Sequence, residues 1–183
     1  MANVVATRPL IDNGLSELRD EHSVTISDPP EEETWSEGEL IDVVGGADVL
    51  LSVLADPVTE RVLDAAPNLE MVSQYAVGID NIDLAAAEQN DVVVTHTPGV
   101  LTDATADQTW ALLLAVARHV KAADRYVRDG EFDRWETTLL LGTELADKTM
   151  GIVGLGRIGA AVARRALGFG MDVRSEERRV GKE

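Results

Sequence analysis

The sequence predicts an α/β protein built on a doubly wound parallel sheet, and three observations carry that prediction. Through the first ninety-five residues, short β-branched runs alternate with helical stretches, the spacing of successive βαβ units. Near the end of the chain a further strand runs through a glycine-rich turn directly into a helix. Hydrophobic residues make up 45% of the 183, enough for a core, and a mean hydropathy near zero argues against disorder. That length holds one large domain, or one domain and part of a second.

Taken in order, Val4-Val5-Ala6 reads as a buried strand, with the loop and helix after it spanning Pro9 to Glu21. Ser23 to Ile26 is a second short strand. Asp28 to Gly38 is a polar, proline-containing loop leading to a helix over Glu39 to Val44. Ala47 to Val53 is a third strand, nearly all apolar, as a strand covered on both faces should be. Thr59 to Ala66 is a short helix with Thr59 as its cap. Glu70 to Gln74 is a strand, Asp83 to Gln89 a helix, and Asp91 to Thr95 the last strand of the series.

The pattern then changes. Thr97-Pro98-Gly99 is a breaker, after which Thr102 or Asp103 caps one long helix to about Arg128. Such a helix reaches roughly 40 Å, more than is needed to cover one small sheet, so it reads as a crossover between two domains. Its middle, Trp110 to Ala117, is apolar nearly all round and is expected to be buried on most sides. Residues 130–148 are irregular yet carry Phe132, Trp135 and Leu139-Leu140-Leu141, too apolar for a free linker. That segment is expected to pack against something, a partner subunit being one candidate. The domain organisation is then 1–98, a crossover helix over 99–129, a second domain from 130 to 173, and a separate tail at 174–183.

Thr149 to Val153 is a short apolar strand, Gly154-Leu155-Gly156-Arg157-Ile158-Gly159 comes at once after it, and Ala160 to Leu167 reads as a helix. This is G-x-G-x-x-G in the strand-turn-helix setting that distinguishes a dinucleotide site from a chance match. Gly154 permits the tight turn, Gly156 lets the backbone approach a pyrophosphate, and Gly159 allows close packing of helix on strand. The helix N-terminus offers unpaired N–H groups and a partial positive charge for the phosphates, Arg157 adds a further contact, and Ile158 is counted with it among the cofactor-binding residues. The plain alternative is a glycine-rich turn in a Rossmann-like domain that binds something else or nothing.

Composition narrows the function classes. A net charge of −17 disfavours nucleic acid and anionic membrane as partners. The acidic residues are scattered rather than gathered in one tail, apart from Glu31-Glu32-Glu33, and the lysines are only Lys121, Lys148 and Lys182. Such a surface suits a salt-rich cytoplasm, where screening removes self-repulsion; an acidic protein of ordinary habitat is the alternative. Without cysteine there is no disulfide, thiolate metal site or cysteine nucleophile. Met1-Ala2-Asn3 lacks the basic region of a signal peptide and no apolar run approaches a membrane span, so a cytoplasmic location is expected.

Three motifs together resemble one family. Tyr75-Ala76-Val77-Gly78-Ile79-Asp80-Asn81-Ile82-Asp83 resembles the substrate-domain signature of the D-isomer-specific 2-hydroxyacid dehydrogenases. Thr97 to Asp107, with the helix after it, resembles the same family's domain crossover, and Gly154 to Gly159 stands at the family's distance downstream. Within it, Trp135 to Gly142 is most similar to the glyoxylate and hydroxypyruvate reductase branch. The resemblance covers residues 3–173. It implies a flavodoxin-like substrate domain, followed by the first βα unit of a Rossmann dinucleotide-binding domain. It also implies a homodimer, NAD or NADP as cofactor, and hydride transfer between that cofactor and a small 2-keto or 2-hydroxy acid.

By the same resemblance, the backbone amides at Val77 and Gly78 hold the substrate carboxylate, as a turn with adjacent free N–H groups would. Leu54, ending the third strand, lines the pocket, and Thr105 corresponds to a position that contacts cofactor in some relatives. Core packing is the alternative for Leu54 and Val77, and a place in the first helical turn for Thr105. The family's catalytic arginine, acidic residue and histidine belong to a later part of the nucleotide domain, so this polypeptide is expected to be an inactive fragment with no catalytic residue of its own. His22 is expected to be solvated and His119 exposed or at an interface. His96 stands where the family usually has asparagine and reads as a local departure. Asp80 and Asp83 pair as a turn and helix cap. Arg174 to Glu183 resembles a translated sequencing-adapter read-through; native sequence is expected to end at about Val173, leaving Glu176 and Glu177 as decoys for a ribose-binding acid. A non-enzymatic alternative of the same fold is a dinucleotide-sensing, corepressor-like module. A different Rossmann-like enzyme, such as a methyltransferase, is disfavoured by the motifs at 75–83 and 97–107.

Overall fold

The computed structural model describes residues 1–10, 15–29 and 34–176. Parts of the two predicted loops and tail residues 177–183, including Glu177, lie outside them. The chain divides into two compact units, Met1–Pro98 and Gly99 onward, and the division falls at the predicted breaker, where Gly99 takes a φ of 89°.

In the first unit five strands, β1 (Asn3–Ala6), β2 (Ser23–Ile26), β3 (Val49–Ser52), β4 (Met71–Gln74) and β5 (Val93–Thr95), form one sheet in the order β2-β1-β3-β4-β5. All four pairings are parallel. This is the flavodoxin-like order, whose topological switch point lies between β1 and β3. The helices α1 (Ser16–Glu21), α2 (Glu37–Val44), α3 (Glu60–Asp64) and α4 (Leu84–Gln89) alternate with the strands. Leu40 and Val44 of α2, Leu50 of β3, Val62 and Leu63 of α3 and Val72 of β4 are buried together. β2 is an edge strand and is largely exposed.

Local chemistry sets the helix ends. Ser36 accepts a bond from the Glu39 N–H while the Glu39 carboxylate accepts from the Ser36 N–H, so α2 opens two residues before its predicted start. The Ser36 hydroxyl also donates to Glu39 Oε2 at 2.6 Å, and this bond first, then that from the Ser36 N–H, holds the Glu39 carboxyl below its ordinary pKa. Asp83 caps α4 through the Ala86 N–H at 3.0 Å, as expected. Thr59 occupies the N-cap of α3, but its hydroxyl makes no cap bond, which corrects the sequence reading.

In the second unit, β6 (Thr149–Val153), α7 (Arg157–Gly168) and β7 (Asp172–Glu176) form a parallel βαβ unit, with α5 (Thr102–Ala117) packed on α7. Trp110 stacks on Phe169 with ring centroids 4.4 Å apart and donates its indole N–H to the Val162 carbonyl at 3.1 Å. Arg165 of α7 bonds Asp107 and Asp103 of α5. Arg174 to Glu176 continue β7 in register with β6 and are exposed.

Three expectations for this unit are corrected. The single helix over 102–128 is two, α5 and α6 (Val120–Arg128), because the Ala117 carbonyl accepts the Thr143 N–H at 2.7 Å and His119 turns left-handed with a φ of 55°. Gly142 fits against that break, where a Cβ would collide with the Ala117 carbonyl. α5 is not capped by Thr102 or Asp103: Leu101 is the N-cap, without a side-chain bond. Trp110 is buried, but Leu112 and Val116 of the same apolar run are exposed; Phe132, Trp135 and Leu141 of the 130–148 segment are likewise uncovered within the single chain, which does not bear on packing against a partner subunit. Among the described residues, no helix is long and apolar enough to cross a membrane.

Candidate functional site

Two candidate sites stand at the positions the sequence indicated, one in each unit. In the first unit the chain leaves β3 and β4 at the C-terminal edge of the sheet, where ligands of open α/β sheets bind. The two loops there rest on a buried polar network. Asp56, fully buried, accepts the Thr7 hydroxyl at 2.6 Å and the Val53 N–H at 2.7 Å. Arg8 approaches the other Asp56 oxygen at 3.8 Å. Ser52 donates to Gln74 Oε1 at 2.6 Å, and Gln74 Nε2 donates to Asn81 Oδ1 at 2.8 Å. Asn81 in turn donates to the carbonyls of Val53 and Asp56, at 3.2 and 2.8 Å. The loop after β3 is thereby tied to the loop after β4.

The same network orients the backbone at 76–79. The Ala76 carbonyl accepts the Thr97 N–H at 2.9 Å, Val77 O contacts His96 Nδ1 at 2.9 Å, and Gly78 O accepts from Gln74 Nε2 at 3.3 Å. In a planar trans peptide the carbonyl and the next residue's N–H point oppositely. Three successive carbonyls are therefore turned toward protein partners, and the N–H groups of Val77, Gly78 and Ile79 are turned away from them. None of those three N–H groups has an acceptor among the described residues. A run of free, pre-oriented amides is an anion-binding concavity suited to a carboxylate. Leu54 borders it: a Cβ on Gly78 would stand 3.2 Å from Leu54 Cδ2 and 3.7 Å from Asp80 Oδ2. Leu54 is 57% exposed, so it is a wall available to a ligand and not core, while Val77 is half-buried. Leu54, Val77 and Gly78 thus come together.

In the second unit Gly154 has a φ of 87°, the left-handed turn that favours glycine, and its N–H reaches Glu176 O at 3.1 Å. Gly159 lies so close to the turn that a Cβ would collide with the Gly154 carbonyl. Gly156 is the N-cap of α7, and a Cβ there would meet nothing within 4 Å. The turn is thus closed by two glycines and open at the third, a cradle that a phosphate can approach. The first N–H groups of α7 precede its first intrahelical bond, Ala160 N–H to Gly156 O. Ile158 packs on the core beneath, and Arg157 is exposed with no ion-pair partner among the described residues. A cavity of about 400 Å³ runs along β6, lined by Thr109, Trp110, Leu113 and Ile152 and reaching Gly154 and Gly159. Thr105 does not line it; half-buried on α5, it accepts the Thr109 hydroxyl on its carbonyl.

The histidines fall where chemistry places them. His22 ends α1 and accepts the Ala2 N–H at 3.3 Å; it is half-buried and not simply solvated. His119 is exposed at the helix break, its Nε2 3.2 Å from Leu141 O. Sequence reasoning missed Asp56, Gln74 and Asn81. The available signal was polar residues at or just after the ends of apolar strands, where a buried polar group must find partners.

The family of the D-isomer specific 2-hydroxyacid dehydrogenase catalytic domain matches residues 4–169. The chain is 47% identical over 171 residues to a glyoxylate reductase of Korarchaeum cryptofilum, covering 93% of this chain and 51% of the relative. To the glyoxylate reductase of Pyrococcus furiosus it is 45% identical over 174 residues, covering 93% and 51%. Among solved structures, the TT0316 protein of Thermus thermophilus superimposes with a TM-score of 0.89 at 43% identity, over 97% of this chain and 58% of that one. The D-lactate dehydrogenase of Aquifex aeolicus, solved with NAD and lactic acid, gives 0.77 at 26% identity, over 99% and 52%. The chain spans about half the length of the curated relatives it matches.

Proposed function

The chain belongs to the D-isomer-specific 2-hydroxyacid dehydrogenases, and from that premise we propose that the whole protein reduces a small 2-oxo acid of the glyoxylate or hydroxypyruvate kind with NAD(P)H. The observation that carries the reading is the set of three unpaired N–H groups at Val77, Gly78 and Ile79, held outward by their bonded carbonyls. They receive the substrate carboxylate, and Leu54 closes an apolar side of the pocket. Gly154, Gly156 and Gly159, with Arg157 and Ile158 at the start of α7, receive the pyrophosphate of the dinucleotide. The bound dinucleotide supplies the hydride. This chain's own residues bind and orient; among them we assign no proton donor to the keto oxygen, so the 183-residue chain binds both partners without turning them over.

The wider setting is read from the surface. Exposed Leu112, Val116, Trp135 and Leu141 support a homodimer. The scattered acidic residues support a salt-rich cytoplasm. Titration of the 15N-labelled chain with glyoxylate, and then with NADH or NADPH, tests the reading. Glyoxylate should shift the Val77 and Gly78 amides, and the dinucleotide should shift Gly154, Gly156 and Ile158. Shifts confined to other residues, or measurable glyoxylate reduction by this chain, would refute it.

A further inference from the structure

We propose that His96 is a positioning residue for the 77–79 anion nest: its ring Nδ1–H holds the Val77 carbonyl and so fixes the direction of the Gly78 N–H. The inference rests on the carboxylate reading of that nest. His96 Nδ1 is 2.9 Å from Val77 O, and a carbonyl only accepts, so Nδ1 carries the proton. No other group donates to that carbonyl among the described residues.

The pin matters because the residue after Val77 is a glycine. Flipping the Val77–Gly78 peptide changes ψ of Val77 and φ of Gly78, and glycine tolerates both outcomes. A flip would turn the carbonyl oxygen into the nest and the N–H out of it, replacing a donor with an acceptor that repels a carboxylate. Glycine at 78 leaves room for Leu54, whose Cδ2 would stand 3.2 Å from a Cβ and have to give by a few tenths of an ångström. The residue that makes room for the pocket wall therefore also loosens the peptide, and an external hold restores its direction. His96 provides it from a fixed base. It comes directly after β5, and its neighbour Thr97 donates to Ala76 O at 2.9 Å, so two consecutive carbonyls of the turn are held from one strand end.

The structure gives this role a spectroscopic signature. His22 Nδ1 accepts the Ala2 N–H, and His119 Nε2 faces the Leu141 carbonyl, so both neutral rings carry the proton on Nε2. His96 should be the exception, neutral with its proton on Nδ1. Ring 15N spectra at a pH where the histidines are neutral read this directly in the wild-type chain. Glyoxylate titrations of wild type, His96→Ala and His96→Asn read the consequence, because an asparagine amide donates as the imidazole does. His96→Ala should weaken binding about tenfold, the worth of one hydrogen bond. His96→Asn should stay within about threefold of wild type.

Equal affinity of His96→Ala and wild type, or an Nε2–H tautomer at His96, overturns the proposal. If His96→Ala fails to fold, the wild-type tautomer and the His96→Asn affinity decide it. A wild-type chain whose Val77 and Gly78 amides ignore glyoxylate overturns the nest itself, and this inference with it. Because the tautomer is read without ligand, the two failures are distinguishable.

Discussion

Replacing Asp56 by alanine should destabilise the first unit more than any comparable change at its surface. The carboxylate is fully buried and accepts two donors, the Thr7 hydroxyl at 2.6 Å and the Val53 N–H at 2.7 Å. Alanine leaves the Val53 N–H without an acceptor, at about 1–3 kcal/mol, and reduces the Thr7 hydroxyl to its longer bond with the Leu51 carbonyl at 3.2 Å, so the total is roughly 1–4 kcal/mol. A water entering the vacated space would bring the cost toward the lower end. Asp56→Asn separates charge from hydrogen bonding. Its amide oxygen can take the position that serves Thr7 and Val53, leaving only the NH₂ facing Arg8, where the carboxylate now stands 3.8 Å away. It should cost about half as much. Hydrogen exchange of the slowest amides in β1, β3 and β4 reports the first unit alone, so unfolding of the second does not confuse the measurement. A loss of about 3 kcal/mol speeds that exchange on the order of 100-fold. Exchange in Asp56→Ala within about twofold of wild type, or no faster than in Asp56→Asn, would refute the reasoning.

Two further outcomes come from local geometry. Gly159→Ala should disturb the turn itself, since its Cβ collides with the backbone at Gly154; amide exchange in β6 and α7 should reveal a loss of about 1–3 kcal/mol. Gly156→Ala, with open space around the new methyl, should leave that stability within about 1 kcal/mol while weakening dinucleotide binding by calorimetry, and equal stability losses in the two variants would sink the distinction. Glu39 is held below its ordinary pKa by Ser36, so its contribution to the start of α2 is complete above the ordinary glutamate range and is lost as the pH falls through the lowered folded value. Amide shifts of residues 37–40 should titrate with a midpoint below that of a free glutamate, and Glu39→Gln should abolish the transition; a midpoint at or above the free value would contradict the capping geometry.

What was legible in the sequence depended on how far apart the causes lie. Strands and helices of the first unit arise from β-branched runs and helical spacing, which are local, and each was found within two residues or so at its ends. The opening of α2 also had a local signal, the capping box of Ser36 and Glu39 three residues apart, but the sequence reading passed over it and began the helix at Glu39. The break at His119 had no such signal. Its cause is a Thr143 N–H that reaches Ala117 O from 26 residues downstream (143 − 117), and nothing within 102–128 announces it. The nest at Val77 and Gly78 could be marked from the glycine and the turn, but its support could not. Asp56 is joined to Thr7 across 49 residues, and Gln74 to Ser52 across 22. Read alone, Asp56 is a polar residue in a loop before proline.

Both candidate sites rest mainly on backbone N–H groups, with Arg157 the one side-chain cation assigned to the second and a lysine assigned to neither, which suits the charge of the chain. At a net charge of −17, a long-range field opposes any anion that approaches. Side-chain cations gathered to overcome it would pair with the nearby carboxylates, as Arg165 does with Asp103 and Asp107. Peptide dipoles behave differently. Their carbonyl ends are already bonded to Thr97, His96 and Gln74, so the N–H ends are held in place and act at contact distance. Salt distinguishes the two fields. The repulsion from distant acidic residues fades beyond a Debye length, about 10 Å at 0.1 M and 3 Å at 1 M, whereas a hydrogen bond made inside that length persists. An acidic surface and an amide-built anion site are therefore compatible, and most so at the high ionic strength proposed for this protein.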